Sequence, residues 1–188
     1  IRNIAVLGHG GKGKTTLCEA MLYIAGASDR LGRVADGNTV LDFDSEEKRR
    51  KSSVSSAIAA LEWDNTKLNI IDAPGLFDFE GGAAEAVRAA EAVLIVTSAG
   101  SGVDVGTEKA FRAAEKKGAA KFFAVTKTDS DHRNFYKTFD ALKEVYGNKL
   151  CPTIIPYMEG NITKCYVNLM TGMAFSYDEN GKATKVPV

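Results

Sequence analysis

The apolar positions of this chain alternate between a strand-like and a helix-like periodicity, which predicts strands and helices in turn. Short apolar or alternating runs predict β-strands at residues 4–7, 57–63, 67–72, 92–96 and 122–125. Apolar residues at helical spacing predict helices near residues 14–24, 83–90, 105–117 and 135–145. This alternation indicates an α/β fold, in which a mostly parallel sheet carries helices on both faces. In the first helix, the face predicted to pack on the sheet consists of Leu17, Ala20, Met21 and Ile24.

The pattern changes to strands and turns after residue 150. Residues 153–155, 162–169 and 173–177 have the composition of strands, and the Asn180-Gly181 pair predicts a tight hairpin turn. We therefore predict an α/β domain over residues 1–150, followed over residues 151–188 by the beginning of a β-rich inserted subdomain.

A glycine-rich loop joins the first predicted strand to the first helix. Residues 8–15 match the pattern G-x-x-x-x-G-K-[ST] of P-loop NTPases, in which small residues let the backbone cradle a polyphosphate. Lys14 would reach the β- and γ-phosphates, and the Thr15 hydroxyl would bind Mg²⁺. The nucleotide-contacting residues predicted in this region are His9, Gly10, Gly11, Lys12, Gly13, Lys14, Thr15 and Thr16.

The same glycines also match a dinucleotide fingerprint. Gly8, Gly10 and Gly13 spell G-x-G-x-x-G, and Asp29 follows about twenty residues later. That fingerprint needs a strand just before the acidic residue, whereas Asp29 follows a predicted helix. The Lys14-Thr15 pair therefore favours phosphate and metal binding over dinucleotide binding.

A second motif follows the predicted strand at residues 67–72. Asp72 ends this strand beside Pro74 and Gly75, so its carboxylate could hold the metal while the Gly75 N-H donates to the terminal phosphate. Upstream, residues 26–53 lack apolar periodicity and are rich in charge, which predicts a long, uncovered loop. Such a loop could order around the γ-phosphate and Mg²⁺.

A third motif predicts the base that is bound. Thr126, Lys127 and Asp129 follow a buried strand as T-K-x-D. A carboxylate can accept hydrogen bonds from both N1-H and the exocyclic amine of guanine, whereas adenine offers no matching pair of donors. The Lys127 stem would lie along the base. GTP or GDP, with Mg²⁺, is therefore the predicted cofactor.

Composition limits the other partners. Lys+Arg and Asp+Glu both total 24, so net charge gives no argument for nucleic-acid or membrane binding. No apolar run approaches the length of a membrane span, and the first residues do not have the character of a signal peptide. Cys18, Cys151 and Cys165 have no metal-ligand spacing. We expect a cytoplasmic protein with reduced thiols and no sequence-specific DNA binding.

Together these motifs resemble the GTPase domain of the elongation factor G-like branch of the translational GTPases. The resemblance rests on residues 2–9, 72–79 and 101–108, and residues 152–188 are similar to the opening of the insert in that domain. It implies a monomeric, ribosome-associated protein that couples Mg²⁺-dependent GTP hydrolysis to a step of translation and hydrolyses slowly without the ribosome. Lys14 and Gly75 would be its catalytic residues.

Departures from the family pattern leave its activity open. Family members usually have Asp at the position of Gly11 and Asn at that of Thr126. The resemblance places Ser53, or alternatively Ser52, at the metal-binding threonine of the mobile segment. Leu76 replaces the histidine that orients the attacking water, and leucine can neither position nor polarise water. A GTP-binding module with negligible hydrolysis is thus an alternative, and an ATP-using P-loop enzyme is a further one.

The resemblance also implies that the guanine site is incomplete in this chain. The family's last base-contacting loop, typically Ser-Ala, is expected beyond Val188. Ser98-Ala99 has the same letters but follows a different strand. We therefore expect weaker GTP binding than in a full-length protein.

Overall fold

A computed structural model describes residues 1–128, 134–160, 162–178 and 181–187. The chain divides into two compact units. The first unit comprises Ile1–Ser98 and Val103–Thr126, and the second comprises Ala99–Gly102 and the chain from Lys127 onward. None of the helices in the described ranges is long and apolar enough to cross a membrane.

The first unit is built on a sheet that contains five strands among the described residues. In chain order the strands are β1 (Arg2–Leu7), β2 (Ala57–Trp63), β3 (Thr66–Asp72), β4 (Ala92–Ser98) and β5 (Ala120–Thr126). Their order across the sheet is β2-β3-β1-β4-β5. Only the β2–β3 hairpin is antiparallel among these pairings. The predicted α/β fold with a mostly parallel sheet is confirmed, and parallel strands bring their carboxyl ends to one edge.

Helices cover both faces of this sheet. The helices of the first unit are α1 (Lys14–Ile24), α2 (Ser45–Arg50), α3 (Glu80–Ala89) and α4 (Val105–Lys117). The described part of the unit has two apolar cores. In one of them α3 and α4 pack on the sheet through small residues such as Ala86 and Ala114, and in the other α1 packs on the sheet through Cys18 and Leu22. Because the alanines on α3 and α4 are small, both helices approach the strands closely.

The buried face of α1 overlaps only partly with the predicted face. The buried residues are Lys14, Thr15, Cys18, Glu19 and Leu22, whereas Ile24 is 70% exposed. The helix begins at the end of the phosphate loop, and the direction of Lys14 and Thr15 into that site fixes which residues follow them inward. The predicted face is thus correct in part, because Leu17 and Met21 are half-buried against the apolar core. It differs at Ile24 and at the fully buried Glu19, since hydrophobicity alone does not place a glutamate inward.

Residues 26–56, which we call the linking segment, are not the uncovered loop that the sequence predicted. They contain a short 3-10 helix at Val34–Asp36 and the helix α2. Asp44 caps α2 in a capping box with Glu47, whose carboxylate is almost completely buried. This spacing is a sequence signal for a helix start that charge density obscured.

The second unit contains one α-helix among the described residues, α5 (Phe135–Tyr146), and an antiparallel sheet. The strands are β6 (Ile154–Glu159), β7 (Ile162–Asn168), β8 (Met173–Tyr177) and β9 (Ala183–Val186), paired in that order. The Tyr136 hydroxyl donates to the carbonyl of Pro156 at 2.7 Å, which ties α5 to this sheet. The antiparallel sheet agrees with the predicted start of a β-rich subdomain, although Asn180 of the predicted turn lies outside the described residues.

Candidate nucleotide site

The phosphate loop connects β1 to α1 at the carboxyl edge of the sheet. Gly8 has a φ of +140°, and a Cβ added to it would lie 2.2 Å from the carbonyl oxygen of Val96. Only glycine fits such an approach to the neighbouring strand. Gly13, the residue before α1, has a φ of +85°. The loop therefore delivers the chain directly to a helix N-terminus, where unpaired N-H groups favour an anion.

Lys14 lies at the mouth of this loop. Its Nζ donates to the carbonyl oxygens of Gly8 and His9, each at 3.1 Å. Burial lowers the pKa of the Lys14 ammonium, and the Asp72 carboxylate opposes that effect. Gly75 lies close by, because a Cβ at this position would come within 2.2 Å of Lys14 Nζ. The Asp72-Ala73-Pro74-Gly75 turn thus meets the loop.

Thr15, Asp72 and Ser53 come together beside Lys14. The Thr15 hydroxyl donates to Asp72 Oδ2 at 2.6 Å, and Thr15 Oγ1 lies 3.1 Å from Ser53 Oγ. Burial raises the pKa of the Asp72 carboxyl to about 7, although the Thr15 hydrogen bond and the Lys14 charge both act to lower it. Asp72 Oδ1 is buried and has no hydrogen-bond partner in the described part of the chain. The proximity of Ser53, rather than Ser52, fits the first of the two sequence alternatives.

This oxygen-rich cluster has the chemistry of a Mg²⁺ site. Two hydroxyls and one carboxylate are hard oxygen donors, and an unpartnered buried carboxylate oxygen is an unfavourable group that a cation would stabilise. No group of three or more His, Cys, Asp or Glu side chains within the described ranges could hold a metal by itself. A Mg²⁺ ion here would therefore need nucleotide phosphates to complete its ligands.

Leu76 packs onto the phosphate loop. A Cβ added to Gly10 would lie 3.0 Å from Leu76 Cδ2, so this side chain fills the space above the loop that a larger residue at position 10 would occupy. His9 lies next to it, with its ring 5.5 Å from that of Phe77. The surface at this side of the loop is therefore apolar.

The Lys12 side chain extends to the start of α4. Its Nζ forms an ion pair with Asp104 at 3.1 Å and lies 3.5 Å from Ser98 Oγ. Asp104 also caps α4, accepting hydrogen bonds from the N-H and hydroxyl of Thr107. Burial disfavours the charged form of Asp104, but these hydrogen bonds and Lys12 outweigh it and lower its pKa. The Lys12 side chain therefore connects the loop to the N-terminus of α4.

The predicted base-binding residues are only partly described. The Thr126 hydroxyl donates to the carbonyl of Lys12 at 2.7 Å and also contacts the carbonyl of Thr97 at 3.1 Å. Lys127 has a φ of +56° and belongs to the second unit. Asp129 lies outside the described residues. Of the remaining predicted residues, Gly11 and Thr16 are exposed.

Three buried acidic residues near this site were not predicted from the sequence. Asp42 accepts a hydrogen bond from Ser53 Oγ at 2.8 Å. Glu19 and Glu47 accept hydrogen bonds from backbone N-H groups of the linking segment. A signal was available only for Glu47, through its capping-box spacing from Asp44.

Comparisons with known proteins identify the family. Residues 1–187 match the family described as Elongation factor Tu GTP binding domain. The chain is 34% identical over 187 residues to a Mycobacterium tuberculosis (strain CDC 1551 / Oshkosh) protein named elongation factor G-like protein, covering 100% of this chain and 26% of that protein. It is 33% identical over 156 residues to elongation factor G of Granulibacter bethesdensis (strain ATCC BAA-1260 / CGDNIH1), covering 83% of this chain and 22% of that protein. The chain thus spans about a quarter of the length of these relatives.

Solved structures give the same result. A crystal structure of a protein from Thermus thermophilus matches with a TM-score of 0.93 and 37% identity, over 100% of this chain and 28% of that chain. The bacterial selenocysteine-specific elongation factor EF-Sec matches with a TM-score of 0.60 and 26% identity, over 77% of this chain and 22% of that chain. The resemblance to elongation factor G-like proteins is confirmed, and the chain belongs to the elongation factor Tu GTP binding domain family.

Proposed function

We propose that this chain binds GTP with Mg²⁺ and hydrolyses it as the switch of a ribosome-associated, cytoplasmic translation factor. The observation that carries the proposal is the convergence of Thr15, Ser53 and Asp72 beside Lys14 at the mouth of the phosphate loop. The ribosomal partner is inferred from relatives that are named elongation factors.

Different residues of the chain would contact the phosphates and the metal. Lys14 would exchange its two carbonyl partners for the β- and γ-phosphates, while the Gly75 N-H would donate to the terminal phosphate. Thr15, Ser53 and Asp72 would hold Mg²⁺, which supplies positive charge against the phosphate oxygens when it is bound. Thr126 keeps its hydroxyl on the loop and so supports the loop's shape.

Lys127 and Asp129 are the residues to which we assign guanine recognition. Competition of ATP against GTP, measured by calorimetry, tests it. We expect GTP to win by a wide margin and Asp129→Asn to relax this preference, because the amide cannot accept both guanine donors. Equal affinities for ATP and GTP in the unmodified chain would favour an ATP-using P-loop enzyme.

A second candidate function is a GTP-binding module with negligible hydrolysis. The packing of Leu76 over Gly10 favours it, since an apolar side chain there excludes a positioned water rather than polarising it. Single-turnover hydrolysis with and without ribosomes separates the two candidates. Acceleration by ribosomes supports the GTPase switch, whereas no acceleration in a chain that still binds GTP supports the module.

A further inference from the structure

Glu19 is a completely buried carboxylate that phosphate binding does not explain. It lies on α1, four residues after Thr15, and none of its surface is exposed. Buried glutamates are rare unless their charge is matched by hydrogen bonds or a partner. The contacts of this side chain therefore indicate what it does.

Glu19 ties the linking segment to α1. Its Oε1 accepts hydrogen bonds from the N-H groups of Val40 at 2.8 Å and Leu41 at 3.0 Å. The Leu41 side chain is buried in the same apolar core as Cys18 and Leu22 of α1. One carboxylate oxygen and one leucine thus fix the chain at residues 40–41 against the helix that follows the phosphate loop.

The next residue continues this connection to the metal cluster. Asp42 is buried, and its Oδ1 accepts a hydrogen bond from Ser53 Oγ at 2.8 Å. Ser53 Oγ in turn lies 3.1 Å from Thr15 Oγ1. The contacts therefore run without a gap from Glu19 through residues 40–42 to a predicted metal ligand.

Gly32 encloses the other oxygen of the Glu19 carboxylate. A Cβ added to Gly32 would lie 2.1 Å from Glu19 Oε2 and 2.8 Å from the Cα of Thr39. An alanine at this position has no room unless Glu19 or the backbone near Thr39 moves. Gly32→Ala therefore disturbs the same contact from the opposite side and leaves the glutamate in place.

We infer that Glu19 is a positioning residue, which holds residues 39–42 on α1 so that Ser53 stays at the metal and Mg²⁺ slows nucleotide release. The inference rests on the proposed Mg²⁺–GTP site. It assigns to Glu19 no contact with the nucleotide or the metal, so its effect passes through Asp42 and Ser53.

The test measures release of a fluorescent, non-hydrolysable GTP analogue from the purified protein in Mg²⁺ and in EDTA. We expect Glu19→Ala and Gly32→Ala to speed release about 10-fold or more in Mg²⁺, the effect of losing hydrogen bonds that hold Ser53, with little change in EDTA. Glu19→Gln should keep the unmodified ratio of the two rates, because its amide oxygen can still accept both N-H groups.

A second readout needs no ligand. Trypsin should cleave nucleotide-free Glu19→Ala faster than the unmodified chain after the exposed Arg49 and Arg50 of the linking segment. If Glu19→Ala does not fold, as judged by circular dichroism, Gly32→Ala and Glu19→Gln decide the question.

The remaining outcomes are also decisive. If the ratio of the release rate in Mg²⁺ to the release rate in EDTA is unchanged in Glu19→Ala and Gly32→Ala, the role of Glu19 is overturned. This includes the case in which general destabilisation raises both release rates equally. A defect in Glu19→Gln as large as that in Glu19→Ala overturns a role based on hydrogen-bond acceptance. An unmodified chain without any Mg²⁺ effect overturns the proposed metal site, and this inference with it.

Discussion

The phosphate loop and the linking segment reach the same cluster by different means. The loop takes its shape from neighbouring residues, with Gly8 and Gly13 placed where a strand passes into a helix. The linking segment is held by two buried carboxylates, its own Glu47 and Glu19 of α1. A local motif can therefore be predicted from neighbouring residues, as can the Asp44–Glu47 cap, whereas the contact of Glu19 with N-H groups about twenty residues away cannot.

Two lysines of the loop should differ strongly in their contribution to GTP binding. Lys14→Ala should weaken GTP binding by on the order of 10²–10³-fold, since charge-assisted hydrogen bonds contribute about 1.5–3 kcal/mol each. Lys12→Ala is the matched control, because the Lys12 ammonium is paired with Asp104 and the predicted phosphate contact of this loop position is its backbone N-H, which alanine keeps. Calorimetry should detect a change of less than about threefold for it. Similar losses in both variants would mean that Lys14 has no special role in the loop.

The second prediction concerns Asp72, where the two regions meet. Its pKa of about 7 exceeds the ordinary value of 3.8, so the folded, nucleotide-free chain binds this proton more tightly than the unfolded chain. The resulting stability is fully present below about pH 4 and is lost as the pH rises through 7. Asp72→Asn should remove this pH-dependent loss of stability, because the amide does not ionise. The free energy of unfolding at pH 8, relative to that at pH 4, should therefore differ between the two chains by a few kcal/mol. Urea denaturation across this pH range checks it, and parallel pH profiles for both chains would contradict it.

The third prediction tests the linking segment. Glu47 is buried and accepts hydrogen bonds from the N-H groups of Val54, Ser55 and Asp44, so Glu47→Ala removes the acceptor of three part-buried donors. We expect a loss of about 2–3 kcal/mol, measured by hydrogen exchange of the linking segment. Glu46→Ala is the control, because its pairs with Arg49 and Arg50 are solvent-exposed and should not change exchange measurably. Equal exchange in both variants would show that Glu47 does not hold the segment.

The smallest effect concerns the support behind the loop. Asp104→Ala should cost about 1 kcal/mol of stability through the lost cap of α4. Asp104→Asn should retain most of that stability, because an asparagine still caps a helix although it cannot pair with Lys12. Thermal unfolding of the two variants measures the difference. A loss as large in Asp104→Asn would attribute the stability to the ion pair instead.

The sequence predicts those parts of the molecule whose determinants are close together in the chain. The β1–loop–α1 unit and the ends of β3 and β5 follow from apolar periodicity and short motifs, and the nearness of Thr15 to Asp72 follows from the parallel topology. The burial of Glu19 on α1 was not predicted, because its carboxylate accepts hydrogen bonds from N-H groups about twenty residues away. No local pattern records such a contact. Ser53 was found only through the family resemblance, since a run of serines carries no positional signal of its own.

We propose that the phosphate loop, the end of β3 and the linking segment form one Mg²⁺–GTP site. A crystal structure with Mg²⁺ and a non-hydrolysable GTP analogue tests it most directly. We predict Mg²⁺ bound to the hydroxyls of Thr15 and Ser53, with the Asp72 carboxylate beside it and guanine paired with Asp129. A nucleotide bound with its phosphates away from Lys14, or with Ser53 and Asp72 distant from the metal, would contradict the claim.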